Sequence, residues 1–443
     1  MNLSDLLGKL SFVALVLFAN AVFASPEIKH WTTSNGLRVY FVAAPEIPIF
    51  DIRLVFKAGS AQDGAKHGLA NITSSLMDEG AGGLDANAFN EQLADTGASF
   101  SAGALRDMAW LSLRTLSDKQ YADPAIALFK HVAKAPSFDE AAVERIKAAT
   151  ISRIQRDASS PGNTANKAIR RAVFGDHPYA HPTEGTEQAV PLISRADVQQ
   201  FHRKYYVVDN AVLAIVGAMT RAEAEQLAES IAAEMPAGDK APAIPAVQLL
   251  TDKRVEKLPF ESIQSHVRLG MPGMKRGDKD YVPLFVGNHV LGGGGLVSIL
   301  FDEVREKRGL SYGVNSYFAP SEQLGVFVAS LQTDGSQADE ALQVLLQTVQ
   351  KFIDDGPPAE RLEAAKQNLI GGFPLRVDSN REIIEYVAMI GFYGLPLDYL
   401  ETFPAKVAAV DAAQIKDAFK RRVNLDKSAV VVVGKHSADG GDS

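Results

Sequence analysis

Cysteine is absent from this 443-residue chain, which excludes disulfide bonds and a cysteine nucleophile. Excess positive charge is absent as well: 45 Lys and Arg stand against 53 Asp and Glu, a formal net charge of −8. That balance argues against nucleic acid as a partner. After the N-terminal region, no segment is apolar over the roughly 20 residues that a membrane-spanning helix needs. The chain is long enough for two domains of ordinary size.

The first residues indicate export from the cytoplasm. Lys9 precedes an apolar run at 10–21, and small residues at 22 and 24 suit a signal peptidase. We expect a signal peptide at 1–24, cleaved between Ala24 and Ser25, and a periplasmic location. That compartment permits disulfides without requiring them. An uncleaved anchor helix is the alternative.

The rest of the chain reads as two copies of one pattern. Each copy predicts a strand, two helical segments, a β-hairpin, two longer helices and a closing strand. The predicted elements of the first copy are 51–58, 67–80, 90–97, 99–103, 108–113, 122–134, 139–156 and 211–219. Those of the second copy are 265–271, 281–291, 298–307, 312–317, 325–331, 339–353, 359–370 and 428–436.

Domain boundaries follow from this repeat. The stretch at 237–247 is rich in Pro and Ala and lacks a periodic apolar face, which is typical of a linker. It separates an N-terminal domain, 25–236, from a C-terminal domain, 248–436, and a polar tail at 437–443 is expected to fray. Hairpins with helices on one face of each sheet predict an α+β fold built from two homologous α/β halves.

Residues 66–80 read KHGLANITSSLMDEG. The HGLA sequence at 67–70, followed by a helical run, resembles the first helix of the M16 (pitrilysin or inverzincin) metallopeptidases. The internal repeat resembles the architecture of that family over about 29–435. The resemblance implies a LuxS/M16 metallohydrolase-like fold, with the two halves arranged as a clamshell and two clamshells enclosing a chamber.

Active M16 members carry His-x-x-Glu-His on this helix, and the matching positions here hold Asn71, Ser74 and Ser75. A neutral amide and two hydroxyls are poor zinc ligands. The third family ligand, a Glu on a later helix, falls near 151–153, a stretch without a carboxylate. We therefore expect no cofactor in this chain, and zinc in a partner subunit.

A different metal site would need histidines. Of the nine in the chain, only His177 and His181 have the spacing for i, i+4 chelation. Pro178 and Pro182 preclude a regular helix there, so a structured loop is predicted, with chelation as the alternative. His67 is expected to cap or pack.

The second half keeps a different set of family residues. Residues 291–312 read LGGGGLVSILFDEVREKRGLSY and resemble the C-terminal substrate segment of M16 proteins. Arg305 and Tyr312 match the Arg/Tyr pair that, in active members, reaches the scissile peptide from across the chamber. A guanidinium and a phenol can donate hydrogen bonds to a substrate carbonyl and to a developing oxyanion. The alternative is a surface charge beside a strand aromatic.

The glycine run that precedes this pair is the predicted substrate-binding loop: Gly292, Gly293, Gly294 and Gly295. Four glycines permit another backbone to come close, and the family resemblance implies contact with substrate or with the facing half. The run is not a nucleotide loop, since it lacks the Gly-Lys-Ser/Thr ending. A flexible hinge is the alternative.

The resemblance implies a zinc-less subunit that lends Arg305 and Tyr312 to a zinc-motif M16 partner in a heterodimeric periplasmic endopeptidase acting on peptides. One alternative is a non-catalytic peptide-binding or scaffold protein of the cell envelope. Another is a protease with an unorthodox site, although no Ser/His/Asp order or carboxylate dyad stands out.

Overall fold

The computed structural model describes residues 26–435. The predicted signal segment 1–24, residue His436 and the tail 437–443 lie outside the described residues. Between residues 26 and 435, no helix combines the length and apolar character needed to cross a bilayer.

The first half forms one sheet and a set of helices. Its strands are β1 (Lys29–Thr32), β2 (Arg38–Ala43), β3 (Ile49–Phe56), β4 (Ser99–Ala104), β5 (Ala109–Leu116) and β6 (Ala211–Gly217). Its helices are α1 (Leu69–Ser74), α2 (Ala86–Asp95), α3 (Lys119–Lys134), α4 (Glu140–Ala158), α5 (Pro161–Phe174), α6 (Arg195–Tyr205) and α7 (Arg221–Ala232). The strand order is β1-β2-β6-β3-β5-β4, and only β2 and β6 run parallel to each other.

The second half repeats this plan. Its strands are β7 (Arg254–Pro259), β8 (Gln264–Pro272), β9 (Gly313–Ala319), β10 (Val326–Asp334) and β11 (Ala429–Gly434). Its helices are α8 (Tyr281–Asn288), α9 (Ile299–Phe301), α10 (Ala338–Asp355), α11 (Ala359–Gly371), α12 (Asn380–Tyr393), α13 (Tyr399–Ala409) and α14 (Ala412–Arg422). The strand order is β7-β11-β8-β10-β9, with β7 and β11 parallel.

The two sheets have the same topology once β1 is set aside. In both, the closing strand lies between a parallel neighbour and an antiparallel one, and a hairpin forms the far edge. This correspondence confirms the α+β class and the two homologous halves predicted from the repeat.

The expectation of helices on one face of each sheet is wrong, because both faces are covered. Every residue of β6 and of β11 is buried, whereas a strand with one solvated face alternates. One face of each sheet packs on helices of its own half. The other face receives a helix from the opposite half: α5 packs on β8 and β11, and α12 packs on β3 and β6.

At both of these crossings, a glycine allows the helix to lie close to the sheet. A Cβ on Gly270 of β8 would lie 2.8 Å from Cγ1 of Ile169 on α5. A Cβ on Gly391 of α12 would lie 2.7 Å from Tyr40 of β2 and from Val212 of β6. The periodic apolar face of each helix indicates that the helix is packed against the core, but it does not indicate which of the two sheets the helix covers. Each half therefore completes the core of the other.

Candidate functional site

Helix α1, where the family carries its zinc motif, begins at a cap supplied by a distant side chain. Oδ2 of Asp63 accepts a hydrogen bond from the Gly68 amide at 2.7 Å, and Oδ1 accepts one from the Ala70 amide at 2.8 Å. These amides would otherwise lack partners at the helix start. Burial raises the pKa of Asp63 to about 7, although both amide bonds act to lower it. Sequence reasoning missed this cap because Asp63 lies outside the usual capping position.

The helix is shorter than the sequence pattern predicted. Oγ of Ser74 donates to the carbonyl of Asn71 at 2.9 Å, a local bond that competes with helical pairing. The amides of Leu76 and Met77 then bond to carbonyls three residues earlier, at 3.3 and 3.4 Å. The chain therefore passes through turns, rather than further helix, before it reaches Gly80.

The three motif positions lie together on this short helix and its last turn, and they do not fit a zinc ion. Ser74 is 2% exposed, and its hydroxyl is bonded to its own helix. Nδ2 of Asn71 is buried without a hydrogen-bond partner, and Ser75 is half-buried. None of these groups is the thiolate, imidazole or carboxylate that zinc requires.

Helix α4 is the element expected to carry the third ligand. Its inward face includes Lys147, Thr150 and Ile154, which follow helical spacing. Positions 152 and 153 of the predicted stretch 151–153 are exposed, so the inward positions nearest to it are 150 and 154. Nζ of Lys147 pairs with Glu144 at 2.7 Å, which places a cation, not a carboxylate, on the buried face.

The two histidines of the loop after α5 have separate partners. Nε2 of His177 lies 2.8 Å from the carbonyl of Pro245, and its Nδ1 accepts from the amide of Tyr179 at 3.1 Å. The ring of His181 stacks on that of His67, with centroids 3.5 Å apart, and burial lowers the pKa of both. Within residues 26–435, no group of three or more His, Cys, Asp or Glu side chains is placed to hold a metal ion.

Arg305 lies on a widened helical turn. Helix α9 starts at Ser298, whose hydroxyl accepts from the amide of Phe301, and continues as a π-helical turn over Asp302–Glu306. The guanidinium carbon of Arg305 lies 4.8 Å from the ring centroid of Phe301, and Nη1 donates to the carbonyl of Tyr312 at 3.1 Å. The turn therefore holds the guanidinium beside the start of β9.

The acidic residues of this turn are occupied by other cations. Glu303 pairs with Lys307 and Arg308, both at 2.7 Å, and Asp302 pairs with Arg361 at 3.1 Å. The carboxylate contact of Arg305 among the described residues is a loose one, to Glu306 at 3.9 Å, and its side chain is 40% exposed. Its remaining donors are therefore available to a ligand.

Tyr312 points away from the protein. The hydroxyl of its buried neighbour Ser311 donates to the carbonyl of Gln332 at 2.5 Å, which anchors the chain as it enters β9. Successive side chains of an extended segment point to opposite sides. Tyr312 is accordingly 84% exposed, and its ring centroid lies 5.9 Å from the guanidinium of Arg305. The structure thus brings the predicted pair together at the surface.

The glycine run packs tightly against β9. Helix α8 continues as a π-helical turn over His289–Gly293. A Cβ on Gly292 would lie 2.6 Å from the amide nitrogen of Ser316, and one on Gly294 would lie 2.7 Å from the carbonyl oxygen of His289. Gly295 has a φ of +62° and open space around it.

A cavity of about 480 Å³ borders this run and is lined by three of its members, Gly292, Gly293 and Gly295. Two apolar side chains next to it, Leu296 and Val297, are 72% and 67% exposed. Close backbone approach accounts for glycine at 292 and 294, and the exposed end of the run is the part open to a ligand.

Comparisons with known proteins identify the family of this chain. A family model described as "Insulinase (Peptidase family M16)" matches residues 38–187, and one described as "Peptidase M16 inactive domain" matches residues 192–369. A crystal structure of a peptidase M16 inactive domain from Pseudomonas fluorescens has a TM-score of 0.90 and 36% identity, covering 94% of this chain and 100% of that chain. This chain belongs to the M16 peptidase family.

Relatives within the M16 family differ in what their names state. A Helicobacter pylori protein named "Non-peptidase homolog YmxG" is 25% identical, over 89% of this chain and 90% of that protein. A Bacillus subtilis protein named "Uncharacterized zinc protease YmxG" is 24% identical, over 80% and 85%. A protease structure from Helicobacter pylori shares the fold, with a TM-score of 0.85 at 18% identity, covering 93% of this chain and 100% of that chain. Activity therefore has to be argued from the residues of this chain.

Proposed function

We propose that this chain is the zinc-less partner of a heterodimeric zinc metalloendopeptidase of the M16 family, which acts on peptides in the periplasm. The chain would supply Arg305 and Tyr312 for substrate binding and oxyanion stabilisation, while its partner supplies the zinc ion and the general base. The observation that carries this proposal is a contrast between two sets of family residues. The motif positions of α1 contain no zinc-ligating side chain, whereas the Arg305–Tyr312 pair is exposed and has free donors.

The state of Arg305 supports a role in trans. The carboxylates of the same turn pair with Lys307, Arg308 and Arg361. The positive charge of Arg305 is therefore not neutralised by them. The guanidinium already orients the segment that carries Tyr312, through the Tyr312 carbonyl. Two donors held side by side at a surface suit an oxyanion that forms on a peptide held by another subunit.

The test uses the mature chain and a zinc-motif M16 subunit from the same genome. Zinc content and hydrolysis of a quenched fluorescent peptide are measured for each protein alone and for the mixture. We expect zinc only in the partner and a large gain in activity on mixing. A mixture no more active than the zinc-bearing subunit alone would reject the proposal.

Point variants then test the assigned roles. Arg305→Ala should lower kcat of the mixture by about 10²-fold, the size seen when an oxyanion donor is removed, and should leave complex formation unchanged. Tyr312→Phe removes only the phenolic donor and should act in the same direction. Arg171→Ala is the matched control, because Arg171 is an exposed arginine far along the chain from the pair. Equal activity in all three variants would exclude the role in trans.

A non-catalytic peptide-binding or scaffold protein of the cell envelope is the second candidate. It draws support from the Helicobacter pylori relative, which is named a non-peptidase homolog. This candidate predicts that the mixture gains no activity, while the chain alone binds unfolded peptides and loses affinity in Arg305→Ala.

A further inference from the structure

A second cavity, of about 520 Å³, lies at the junction of the two halves. The first half contributes β3, β5 and the turn between β4 and β5. The second half contributes the end of β9 and the crossing helix α12, while α5 contributes Arg170. Because α5 and α12, the two helices that pack on the opposite half, both border the cavity, it exists only when the two halves are assembled. It is separate from the Arg305–Tyr312 pair.

Positive charge dominates the polar lining of this junction cavity. Four arginines line it: Arg53, Arg106, Arg170 and Arg276. Arg53 forms an ion pair with Glu385, which also lines the cavity. Among residues 26–435, the other three guanidiniums form no ion pair and no hydrogen bond, and Nε of Arg106 and of Arg276 is buried without a partner.

The one other carboxylate in the cavity wall is already committed. Oδ1 of Asp107 accepts from the hydroxyl of Tyr179, and Oδ2 accepts from the hydroxyl of Tyr393 and from the amide of Glu322, both at 2.8 Å. Asp107 and Glu184 act on Arg106 through space without pairing with it. The carboxylates that line the cavity therefore do not satisfy the donors of these three arginines.

Leaving guanidinium groups in this state is costly. Burial lowers the pKa of Arg106, and burial together with the charge of Arg106 lowers the pKa of Arg170. In both residues the positive charge is partly removed from water without forming an ion pair, and such charges destabilise a fold unless something pairs with them. A ligand anion would supply the missing partner, because a guanidinium binds carboxylate or phosphate oxygens through two parallel bonds.

Much of the remaining lining is apolar. Trp110, Met108, Met389 and Leu105 contribute to the wall, and the exposed apolar area suits an aromatic or aliphatic group. A few convergent polar groups in an otherwise apolar cavity of several hundred Å³ are the usual composition of a small-molecule site.

We propose that the junction cavity binds a small organic anion, with a carboxylate or phosphate head held by Arg106, Arg170 and Arg276 and an apolar body lying against Trp110. This site is independent of the proposed catalytic partnership. Because the ligand touches both halves, its binding should also lock their relative arrangement.

The test measures binding by calorimetry and thermal unfolding with three probes. 4-Phenylbutyrate and phenyl phosphate carry the two anionic heads, and 4-phenyl-1-butanol is the neutral counterpart. We expect at least one anion to bind and to raise the melting temperature, and the alcohol to do neither. The two anions together distinguish a carboxylate ligand from a phosphate ligand.

Neighbouring arginines on one helix provide a matched pair of variants. Arg170→Met removes a lining guanidinium and should weaken anion binding at least tenfold, whereas Arg171→Met, at a side chain that is 66% exposed, should bind as the unaltered protein does. Arg276→Met, on a different segment, should also weaken binding.

Stability distinguishes a ligand site from a structural one. Without ligand, Arg170→Met should melt no lower than the unaltered protein, since an unpaired charge is replaced by an apolar side chain. The proposal is overturned if the alcohol binds as tightly as the anions, if neither anion binds at millimolar concentration, or if both lining variants keep full affinity.

Discussion

Buried polar atoms without partners are concentrated in one half of the molecule. Of eleven such side-chain atoms among residues 26–435, eight belong to residues before the linker and three to residues after it. Each costs about 1–3 kcal/mol when it is removed from water without compensation. The first half thus carries more of this destabilisation than its structural repeat.

The two family motifs show the same contrast. The polar groups of α1 are inside the protein, where Nδ2 of Asn71 and Oγ1 of Thr73 have no partner. Those of the second half, Arg305 and Tyr312, are at the surface. Hydrated donors can be transferred to a ligand at little cost to the fold, whereas the unsatisfied atoms of α1 are enclosed by the protein and are not open to a ligand. Of the two family motifs, the one in the second half is therefore the one whose polar groups are exposed to solvent.

The strongest test of this contrast places a charge in α1. Ser74→Glu should destabilise the protein by about 3–5 kcal/mol, because the site is 2% exposed and its hydroxyl is bonded to a backbone carbonyl, which cannot pair with a carboxylate. Ser159→Glu is the control: Ser159 makes the same type of bond to a carbonyl three residues earlier but is exposed. Its cost should stay below about 1 kcal/mol. Urea unfolding measures both.

The same helix can be given the whole family motif. A variant with Asn71→His, Ser74→Glu and Ser75→His should stay destabilised when zinc is added, because α4 offers no carboxylate on its inward face. Recovery of stability with zinc would show that α1 can still hold the metal once the three motif side chains are restored. That result would weaken the contrast between the halves.

A pH titration tests another unsatisfied group of the first half. His202 is buried between Phe138 and Tyr206, and burial, with a smaller effect from Arg203, lowers its pKa to about 4. Its pKa in the unfolded chain is near 6.5, so the unfolded state binds the extra proton between these values. The stability that the folded protein gains from keeping His202 neutral is complete above pH 6.5. It is lost as the pH falls toward 4, by about 3 kcal/mol in all.

Replacement of this histidine separates its effect from general acid unfolding. His202→Phe should lose less stability than the unaltered protein between pH 7 and pH 4.5, as followed by chemical unfolding. Identical pH profiles for the two proteins would show that His202 does not cause the loss.

A smaller effect is expected where α12 supports the first half. Gly391→Ala should cost about 1–3 kcal/mol, since its Cβ would lie 2.7 Å from Tyr40 and Val212. Gly371→Ala in α11 is the control, because no atom lies within 4 Å of the added Cβ; it should be neutral or stabilise by up to about 1 kcal/mol. Thermal unfolding of both variants makes the comparison. Equal melting temperatures would mean that the crossing adds little.

The smallest effect belongs to the exposed pair. Arg305→Ala and Tyr312→Ala should each change the free energy of unfolding by no more than about 0.5 kcal/mol, as is usual for surface positions. Urea unfolding of the isolated chain is sufficient. A loss several times larger would assign the pair a structural role and remove the basis for its function in trans.

Much of the fold was predictable because each half repeats a pattern with strong local periodicity. Strand β3 was predicted at 51–58 and lies at Ile49–Phe56, and helix α11 was predicted at 359–370 and lies at Ala359–Gly371. The hairpins and closing strands were found for the same reason.

Several elements were not predicted from the sequence: helices α5, α6, α7, α12, α13 and α14, and strands β1, β2 and β7. The crossings of α5 and α12 could not have been predicted locally, because an apolar helix face does not show which sheet it packs against. The π-helical turns at His289–Gly293 and Asp302–Glu306 shorten two predicted helices, and their backbone bonds cannot be read from composition. At the candidate site, the residue types were readable, but burial of Ser74 and exposure of Tyr312 required the structure.

The exchange of α5 and α12 makes the chain resemble a dimer whose subunits have swapped a helix and then been joined. A single cut in the linker at 237–247 would leave two fragments that each hold a segment the other needs for its core. Such fragments should remain associated and should be recovered together when they are produced as separate polypeptides. Neither would be expected to form a complete domain by itself, so the two halves are units of repetition but not units of folding.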